Sequence, residues 1–219
     1  MTEKIKTLLF LLEVGRREEA KALYGQVIEG LGLKTNAHAG TIAPGLSGEK
    51  HDLSLRQYLT LANVASYFKE DGVAEALLEE CYNRWPEDVD CMIELAYIYK
   101  KLGKYSKSEL MYRVALSYEN DNEVAVRELG LLYMETERPL EALCWFHRLL
   151  RLCPVNPIGY FLASEALERL GKKKRSRKYL LSSIVMNNSL IEPVLHFTIN
   201  DLFIHRLGES VSTVELLES

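Results

Sequence analysis

The sequence contains no long apolar run. Its longest uninterrupted apolar stretches, such as Leu8–Leu12, have five residues, whereas a helix that spans a bilayer needs about 20. Lys4 and Lys6 precede that stretch in the manner of a secretory signal, but Glu13 ends it too early for one. We therefore expect a cytoplasmic protein without a membrane span, which begins with an ordinary amphipathic helix.

The sequence also lacks closely spaced cysteines. Cys81, Cys91, Cys144 and Cys153 are separated by 10, 53 and 9 residues, and no CxxC pair is present. Zinc ribbons and thiol redox motifs need such pairs, so neither is indicated. We expect four free, buried thiols in a reducing compartment.

Motifs that indicate catalysis are missing as well. The sequence has no glycine-rich phosphate loop, no HExxH and no GxSxG. His196 and His205 share one predicted helix, but nine residues separate them, which puts them on opposite sides of it. The net charge of −4 is mild and argues against general nucleic-acid binding. We predict a protein that is not an enzyme and binds neither a cofactor nor a metal.

A 34-residue repeat dominates the middle of the chain. Segments 89–122 and 123–156 align without a gap and place similar residues at the same internal positions. The matched pairs are Met92 and Val126 at position 4, Leu95 and Leu129 at position 7, Ala96 and Gly130 at position 8, Tyr99 and Tyr133 at position 11, Ser108 and Ala142 at position 20, Tyr112 and Phe146 at position 24, and Ala115 and Leu149 at position 27. The register continues into 55–88 and 157–190, so four consecutive units cover residues 55–190.

This pattern resembles the tetratricopeptide-repeat family. The resemblance implies an all-α fold, an α-solenoid with a right-handed superhelix built from stacked helix-turn-helix repeats. A fifth, degenerate hairpin is predicted for residues 1–34. The remaining segments are predicted to be a loop or linker at 35–54, a capping helix at 191–207 and an acidic tail at 208–219.

Helical periodicity assigns the repeat positions to buried stripes. Positions 4, 7, 8 and 11 fall on one side of the first helix, and positions 20, 24 and 27 on one side of the second. We predict that Ala62, Ala96 and Gly130 are almost fully buried where paired helices approach closely. Gly103 and Gly171 lie at the turn between the helices, where a positive φ is often needed.

The resemblance also implies that the first helices line a concave groove, into which positions 2, 5, 6, 9, 12 and 13 point. We predict that this groove binds a peptide or helix. The candidate residues are Asn63, Tyr67, Glu94, Tyr97, Arg127, Glu128, Leu131, Met134, Phe161 and Glu165. Some family members clamp a terminal carboxylate at these positions, but Glu94 and Glu128 would repel one.

A basic cluster follows in the last unit. Six of the seven residues in 172–178 are cations, namely Lys172, Lys173, Lys174, Arg175, Arg177 and Lys178. Such a cluster is either a solvated edge or a docking patch for an acidic protein, a nucleic acid or an anionic membrane.

The sequence therefore predicts a non-catalytic protein-interaction module, such as a scaffold, adaptor or chaperone. The alternative is a regulator that uses the basic cluster to bind nucleic acid or an acidic partner. A homodimer through the N-terminal hairpin is a further possibility, because the Leu8–Leu12 stretch is apolar on every side of its helix. The hairpin would otherwise stack in place on its own chain.

Overall fold

The computed structural model describes residues 1–33 and 53–186, and every regular element within these ranges is an α-helix. The described helices are α1 (Thr2–Glu13), α2 (Arg17–Gly30), α3 (Leu55–Tyr67), α4 (Asp71–Arg84), α5 (Val89–Lys101), α6 (Tyr105–Tyr118), α7 (Glu123–Glu135), α8 (Pro139–Leu152), α9 (Pro157–Arg169) and α10 (Lys173–Met186). The prediction of an all-helical repeat fold is confirmed. The predicted capping helix and acidic tail, and nearly all of the predicted linker, lie outside the described residues.

The chain forms two compact units, Met1–Glu137 and Arg138–Ser219. In the first unit, α1 packs on α2, α3 on α4, and α5 on α6. The first helices of successive repeats also contact one another, α1 with α3, α3 with α5, and α5 with α7. In the second unit, α9 packs on both α8 and α10.

A polar residue immediately precedes each first helix from α3 onward and accepts a hydrogen bond from its first turn. Asp88 accepts from the Cys91 backbone N–H at 2.8 Å, and Asn122 accepts from Ala125 at 3.0 Å. Ser54 forms a capping box, and Asn156 accepts from the Ile158 backbone N–H at 3.0 Å. Because these caps occur every 34 residues, they fix where each repeat begins.

Glycine ends three of the first helices in the left-handed conformation, and Gly15 after α1 has a φ of 75°. Gly103 and Gly171 each have a φ of 71°, as the sequence predicts. The next residue, Lys104 or Lys172, donates its backbone N–H across the end of the helix at 2.8 Å. This is a Schellman motif, which satisfies carbonyls that the helix leaves open.

Two other turns adopt the same conformation without glycine. Lys69 has a φ of 63° and Glu137 a φ of 56°, and both occupy the position that glycine occupies in the other repeats. The Glu70 N–H still donates to the Ala65 carbonyl at 2.9 Å. The repeat therefore imposes the turn even on side chains that the left-handed region disfavours.

The small residues of the repeat are buried as predicted. Ala62 is 1% exposed and Ala96 0%, and Gly130 is also buried. These positions let paired helices approach closely, because a larger side chain has no room there. The core that results carries the stability of the repeats.

The cysteines divide into buried and accessible thiols. Cys81 and Cys91 are both fully buried, and contact with the Cys81 thiol, together with burial, raises the pKa of Cys91. Cys144 is exposed and Cys153 half-buried. The expectation of four buried thiols is therefore wrong for Cys144, which follows the buried position 20 on α8 by two residues and so turns toward solvent.

The N-terminal hairpin packs on its own chain. The Tyr24 hydroxyl donates to Glu70 at 2.9 Å, and the rings of Tyr24 and Phe68 lie 5.2 Å apart. The inner residues of α1 join the same core as α3, while Leu9 and Phe10 stay exposed. The hairpin thus stacks in place, and a homodimer through it stays a prediction.

Each compact unit contains one tryptophan. Trp85 follows α4 in the first unit, and its ring lies edge-on to Tyr58 at 6.0 Å. Trp145 lies on α8 in the second unit, with the Arg148 guanidinium 5.2 Å from its ring centroid. The two indole rings therefore occupy different surroundings.

Candidate functional site

The inner face is the surface that α3, α5 and α7 present at repeat positions 2, 5, 6, 9, 12 and 13. An α-helix turns about 100° per residue, so most of these positions lie opposite the stripe that packs into the core. Helix α5 contacts both α3 and α7, which makes the face continuous within the first unit. The predicted site residues on it that reach solvent are Asn63, Tyr67, Glu94, Tyr97, Arg127, Glu128 and Leu131.

Two tyrosines on the inner face expose their rings. Tyr97 is 40% exposed and Tyr67 is 53% exposed. The Lys100 ammonium lies 5.2 Å from the Tyr97 ring centroid, and the Arg17 guanidinium lies 5.3 Å from that of Tyr67. Exposed aromatic rings with cations nearby are typical of surfaces that bind another protein.

A covered ion pair links α5 to α7 across the inner face. The Lys100 ammonium lies 2.8 Å from the Glu128 carboxylate, and these side chains are only 9% and 14% exposed. Arg127 donates to the other oxygen of Glu128 at 3.2 Å. Glu128 is therefore neutralised within the chain, which the sequence did not reveal because Lys100 lies 28 residues away.

Glu94 differs sharply from Glu128, although both occupy position 6 of their repeats. It is half-buried, and within residues 1–33 and 53–186 nothing donates a hydrogen bond to its carboxylate or pairs with it. Burial, followed by the charges of Asp90 and Glu128, raises the pKa of Glu94. This carboxylate is therefore held partly out of water without compensation.

Lys101 joins α5 to the preceding repeat at the edge of this face. Its ammonium donates to the Ser66 hydroxyl at 2.7 Å and pairs with Asp71. The Ser66 hydroxyl itself donates to Asp71 at 3.1 Å. Together with the Lys100 pair, these bonds hold α5 between its two neighbours.

Met134 does not belong to this surface. It is 6% exposed, so the prediction that it is a surface anchor is wrong. Position 12 lies only about 40° around the helix from the buried position 8, which brings its side chain to the edge of the packed stripe. Lys100, at the same position of the preceding repeat, is covered in the same way.

The second unit carries the remaining predicted site residues. Phe161 is 40% exposed on α9 and Glu165 is half-buried on the same helix. In the basic cluster, Arg177 is half-buried; the exposed members are Lys172, Lys173, Lys174, Arg175 and Lys178. These cations occupy the turn before α10 and its first half.

The described part of the chain offers no centre for metal chemistry. No group of three His, Cys, Asp or Glu side chains within 1–33 and 53–186 could hold a metal ion. None of the helices α1–α10 combines the length and the apolar character needed to cross a bilayer.

The repeat itself is shared with known proteins. Residues 89–122 match the tetratricopeptide repeat. These residues are α5, its turn and α6, the hairpin that contributes Glu94 and Tyr97 to the inner face. The chain therefore contains a tetratricopeptide repeat within an all-helical repeat fold.

One curated relative resembles most of this chain but matches it over only a small part of its own length. Human protein O-mannosyl-transferase TMTC3 is 28% identical over 171 residues, which are 75% of this chain but 17% of that protein. The chain thus spans about one sixth of the length of this curated relative.

Solved structures share the fold at lower identity. A crystal structure of MamA superposes with a TM-score of 0.62 at 13% identity, covering 82% of this chain and 93% of that one. Pseudomonas aeruginosa PilF superposes with a TM-score of 0.61 at 15% identity, covering 85% of this chain and 76% of its own. Both likenesses establish the architecture alone.

Proposed function

We propose that this protein is a non-catalytic interaction module, a scaffold or adaptor, which binds a peptide or helix of another protein on the inner face. The observation that carries the proposal is the exposed ring of Tyr97 on a surface of packed helices, near the Glu94 carboxylate, which nothing in the described part of the chain pairs with. Aromatic anchors on a rigid backbone lose little conformational entropy when they bind.

The comparisons are consistent with this proposal and leave the partner open. The matched part of TMTC3 is one sixth of a protein named as a transferase, and that name describes the whole relative. The part of this chain that matches it supplies a binding surface in our proposal.

The proposal is tested by replacing one anchor and measuring capture. Tagged wild-type protein and Tyr97→Ala are used to capture partners from the native cell lysate, and bound proteins are quantified by mass spectrometry. Tyr105→Ala is the matched control, because Tyr105 is also an exposed tyrosine, 42% exposed, on the second helix of the same repeat. Proteins that bind the inner face should be captured in smaller amounts by Tyr97→Ala than by the wild type. Tyr105→Ala should capture them as the wild type does.

Direct binding to a purified partner then gives the magnitude. Loss of a central aromatic anchor costs about 1–2 kcal/mol or more, roughly a tenfold rise in Kd. If Tyr97→Ala binds every partner as the wild type does while Tyr105→Ala loses them, the inner face is not the binding surface. Phe161→Ala tests the exposed aromatic of the second unit in the same way.

The basic cluster supports a second candidate function, binding of nucleic acid or an acidic protein. The observation that favours it is the exposure of five cations around the first half of α10. Changing Lys172, Lys173, Lys174 and Arg175 together to Ser should then remove an affinity for RNA or DNA that falls steeply with salt. Wild-type protein with no such affinity at about 0.15 M salt excludes nucleic acid as the ligand of the basic cluster.

A further inference from the structure

The two units differ sharply in how their charges are balanced. Residues 1–137 carry 16 Lys or Arg and 23 Asp or Glu, a net charge of −7, whereas residues 138–186 carry ten and three, a net charge of +7. The mild net charge of the whole chain therefore conceals one strongly basic segment. Such a concentration of positive charge attracts ligands of the opposite sign.

Cations of the second unit also lack the acidic partners that several cations of the first unit have. In the first unit, Lys100 pairs with Glu128, and Lys104 pairs with Glu75. Six exposed cations of the second unit have no acidic partner within residues 1–33 and 53–186, namely Arg151, Lys172, Lys173, Lys174, Arg175 and Lys178. Their charge is therefore available to a ligand.

A contact between two rings extends this basic surface from α10 to α8. The Tyr179 hydroxyl of α10 lies 3.1 Å from Nε2 of His147 on α8, and the ring centroids are 5.8 Å apart. The Tyr179 ring also lies 6.1 Å from that of Tyr160 on α9. Residues four apart share one side of a helix, so Arg175 lies beside Tyr179 on α10. For the same reason Arg151 lies beside His147 on α8, and exposed cations flank the ring contact at both ends.

His147 places an accessible, uncharged ring between these cations. Its side chain is exposed, and the bond to Tyr179 meets the imidazole at its Nε2 edge, because a ring nitrogen forms its hydrogen bond in the plane of the ring. Partial burial, followed by the charge of Arg151, lowers the pKa of His147, so the ring is neutral at pH 7. A neutral aromatic ring among cations is suited to stack on a planar base whose phosphates the cations hold.

We propose that the second unit binds single-stranded nucleic acid, with phosphates held by the basic cluster and by Arg151 and a base stacked on His147. The inference rests on the second candidate function above and extends its site from α10 onto α8. The ring favours a single strand over other polyanions, because a single strand exposes its base faces whereas the bases of a duplex stack on one another. An acidic peptide supplies charge for the cations but no planar group for the imidazole.

The test measures binding of a fluorescein-labelled oligouridylate of about 12 nucleotides to the full-length protein by fluorescence anisotropy. The Kd is determined at salt concentrations between about 50 and 200 mM. The same titrations are made with the duplex of this strand with oligoadenylate and with labelled polyglutamate of the same length. We expect the single strand to bind with an affinity that falls steeply with salt.

Two variants of His147 test the stacking. His147→Ala should raise the Kd of the single strand about fivefold or more, without changing its salt dependence, because a neutral ring displaces no counterion. The same variant should bind the duplex and polyglutamate as the wild type does. His147→Phe keeps an aromatic ring and should retain the wild-type affinity for the single strand.

A variant of Arg151 tests the extension of the site onto α8. Arg151→Gln should reduce the slope of log K against log salt concentration by about 0.7, the value for one phosphate contact on a single strand. Arg56→Gln removes an exposed cation from α3 in the first unit and should leave both the Kd and the slope unchanged. Circular dichroism melting checks that each variant stays folded.

The outcomes separate the inference from the candidate function. If the single strand binds through residues 172–175 but His147→Ala and Arg151→Gln bind it as the wild type does, the inference is wrong and the basic cluster alone is the site. If His147→Phe loses as much affinity as His147→Ala, or if His147→Ala weakens all three ligands equally, the stacking is wrong. If the single strand does not bind at about 0.15 M salt, the inference and nucleic acid as the ligand are both wrong, and binding of polyglutamate would then identify an acidic protein as the ligand of the cluster.

Discussion

The two sides of α5 use the same helix for different purposes. On the core side, Met92, Leu95 and Ala96 are at most 1% exposed. On the opposite side, Glu94 is half-buried and has no partner among residues 1–33 and 53–186, and Tyr97 is 40% exposed. The core side is constrained by packing, whereas the inner face keeps polar and aromatic groups that the fold does not need. The contrast indicates that stability and recognition are carried by different residues of one helix.

The largest effect should come from overpacking the core side. Ala96→Phe adds a ring where the paired helices leave no space, and we expect a loss of about 1–3 kcal/mol in the free energy of unfolding. Urea denaturation followed by circular dichroism measures it. Tyr97→Phe, the neighbouring residue on the other side, should change stability by less than about 0.5 kcal/mol. Equal losses of unfolding free energy in the two variants would show that the core side and the inner face of α5 contribute alike to stability.

A smaller effect is expected at the turns that end the first helices. Gly103→Ala should cost about 1 kcal/mol, because no atom crowds a Cβ at this position and only the left-handed backbone opposes it. Lys69→Gly should raise stability by roughly 0.5–1 kcal/mol, since it removes the same strain from the equivalent turn. Thermal unfolding of both variants checks the pair. Loss of stability in Lys69→Gly would show that the lysine side chain compensates for its conformation.

The smallest effect should come from the inner face, and it should be stabilising. The pKa of Glu94 is raised in the folded state, so its protonated form favours folding, and that contribution is lost as the pH rises through the folded pKa. Asp90 and Glu128 act on it in the same direction. Glu94→Gln should therefore be more stable than the wild type at pH 7, by about 0.5 kcal/mol or less.

Acid should remove the advantage of Glu94→Gln. Below about pH 4, where free glutamate is largely protonated, the two proteins should unfold at the same temperature. The measurement is a series of thermal unfolding curves between pH 4 and pH 7, with Glu18→Gln as the control. A gap that stays constant across this range would show that burial of the charge is not its cause.

The sequence predicts the core side well, because that side is periodic. The interval of 34 residues places Ala96 and Gly130 in equivalent surroundings, and the small side chain at that position has a direct geometric reason. The turns at Gly103 and Gly171 are predictable for the same reason, because glycine at this repeat position indicates the end of the first helix. The polar caps Asp88, Asn122 and Asn156 repeat at the same interval, and this signal could have located the helix starts.

The inner face is less predictable, because its contacts join residues that are far apart in the sequence. Periodicity assigned Met134 to the surface, although its position lies at the edge of the buried stripe. It treated Glu94 and Glu128 alike, although only Glu128 receives Lys100. Such differences depend on which side chain of a neighbouring helix reaches the position. That choice depends on side-chain rotamers, and the repeat pattern does not encode it.

The placement of one indole in each compact unit makes the cooperativity of the protein measurable without labels. Repeat arrays unfold either as a whole or in segments, depending on how strongly neighbouring repeats are coupled. In Trp145→Phe the emission comes from Trp85 and reports melting of Met1–Glu137, and in Trp85→Phe it comes from Trp145 and reports melting of Arg138–Ser219. If the two unfolding midpoints coincide, a substitution that unfolds one unit also unfolds the other. If the midpoints differ, one unit can stay folded and keep its binding surface while the other is unfolded.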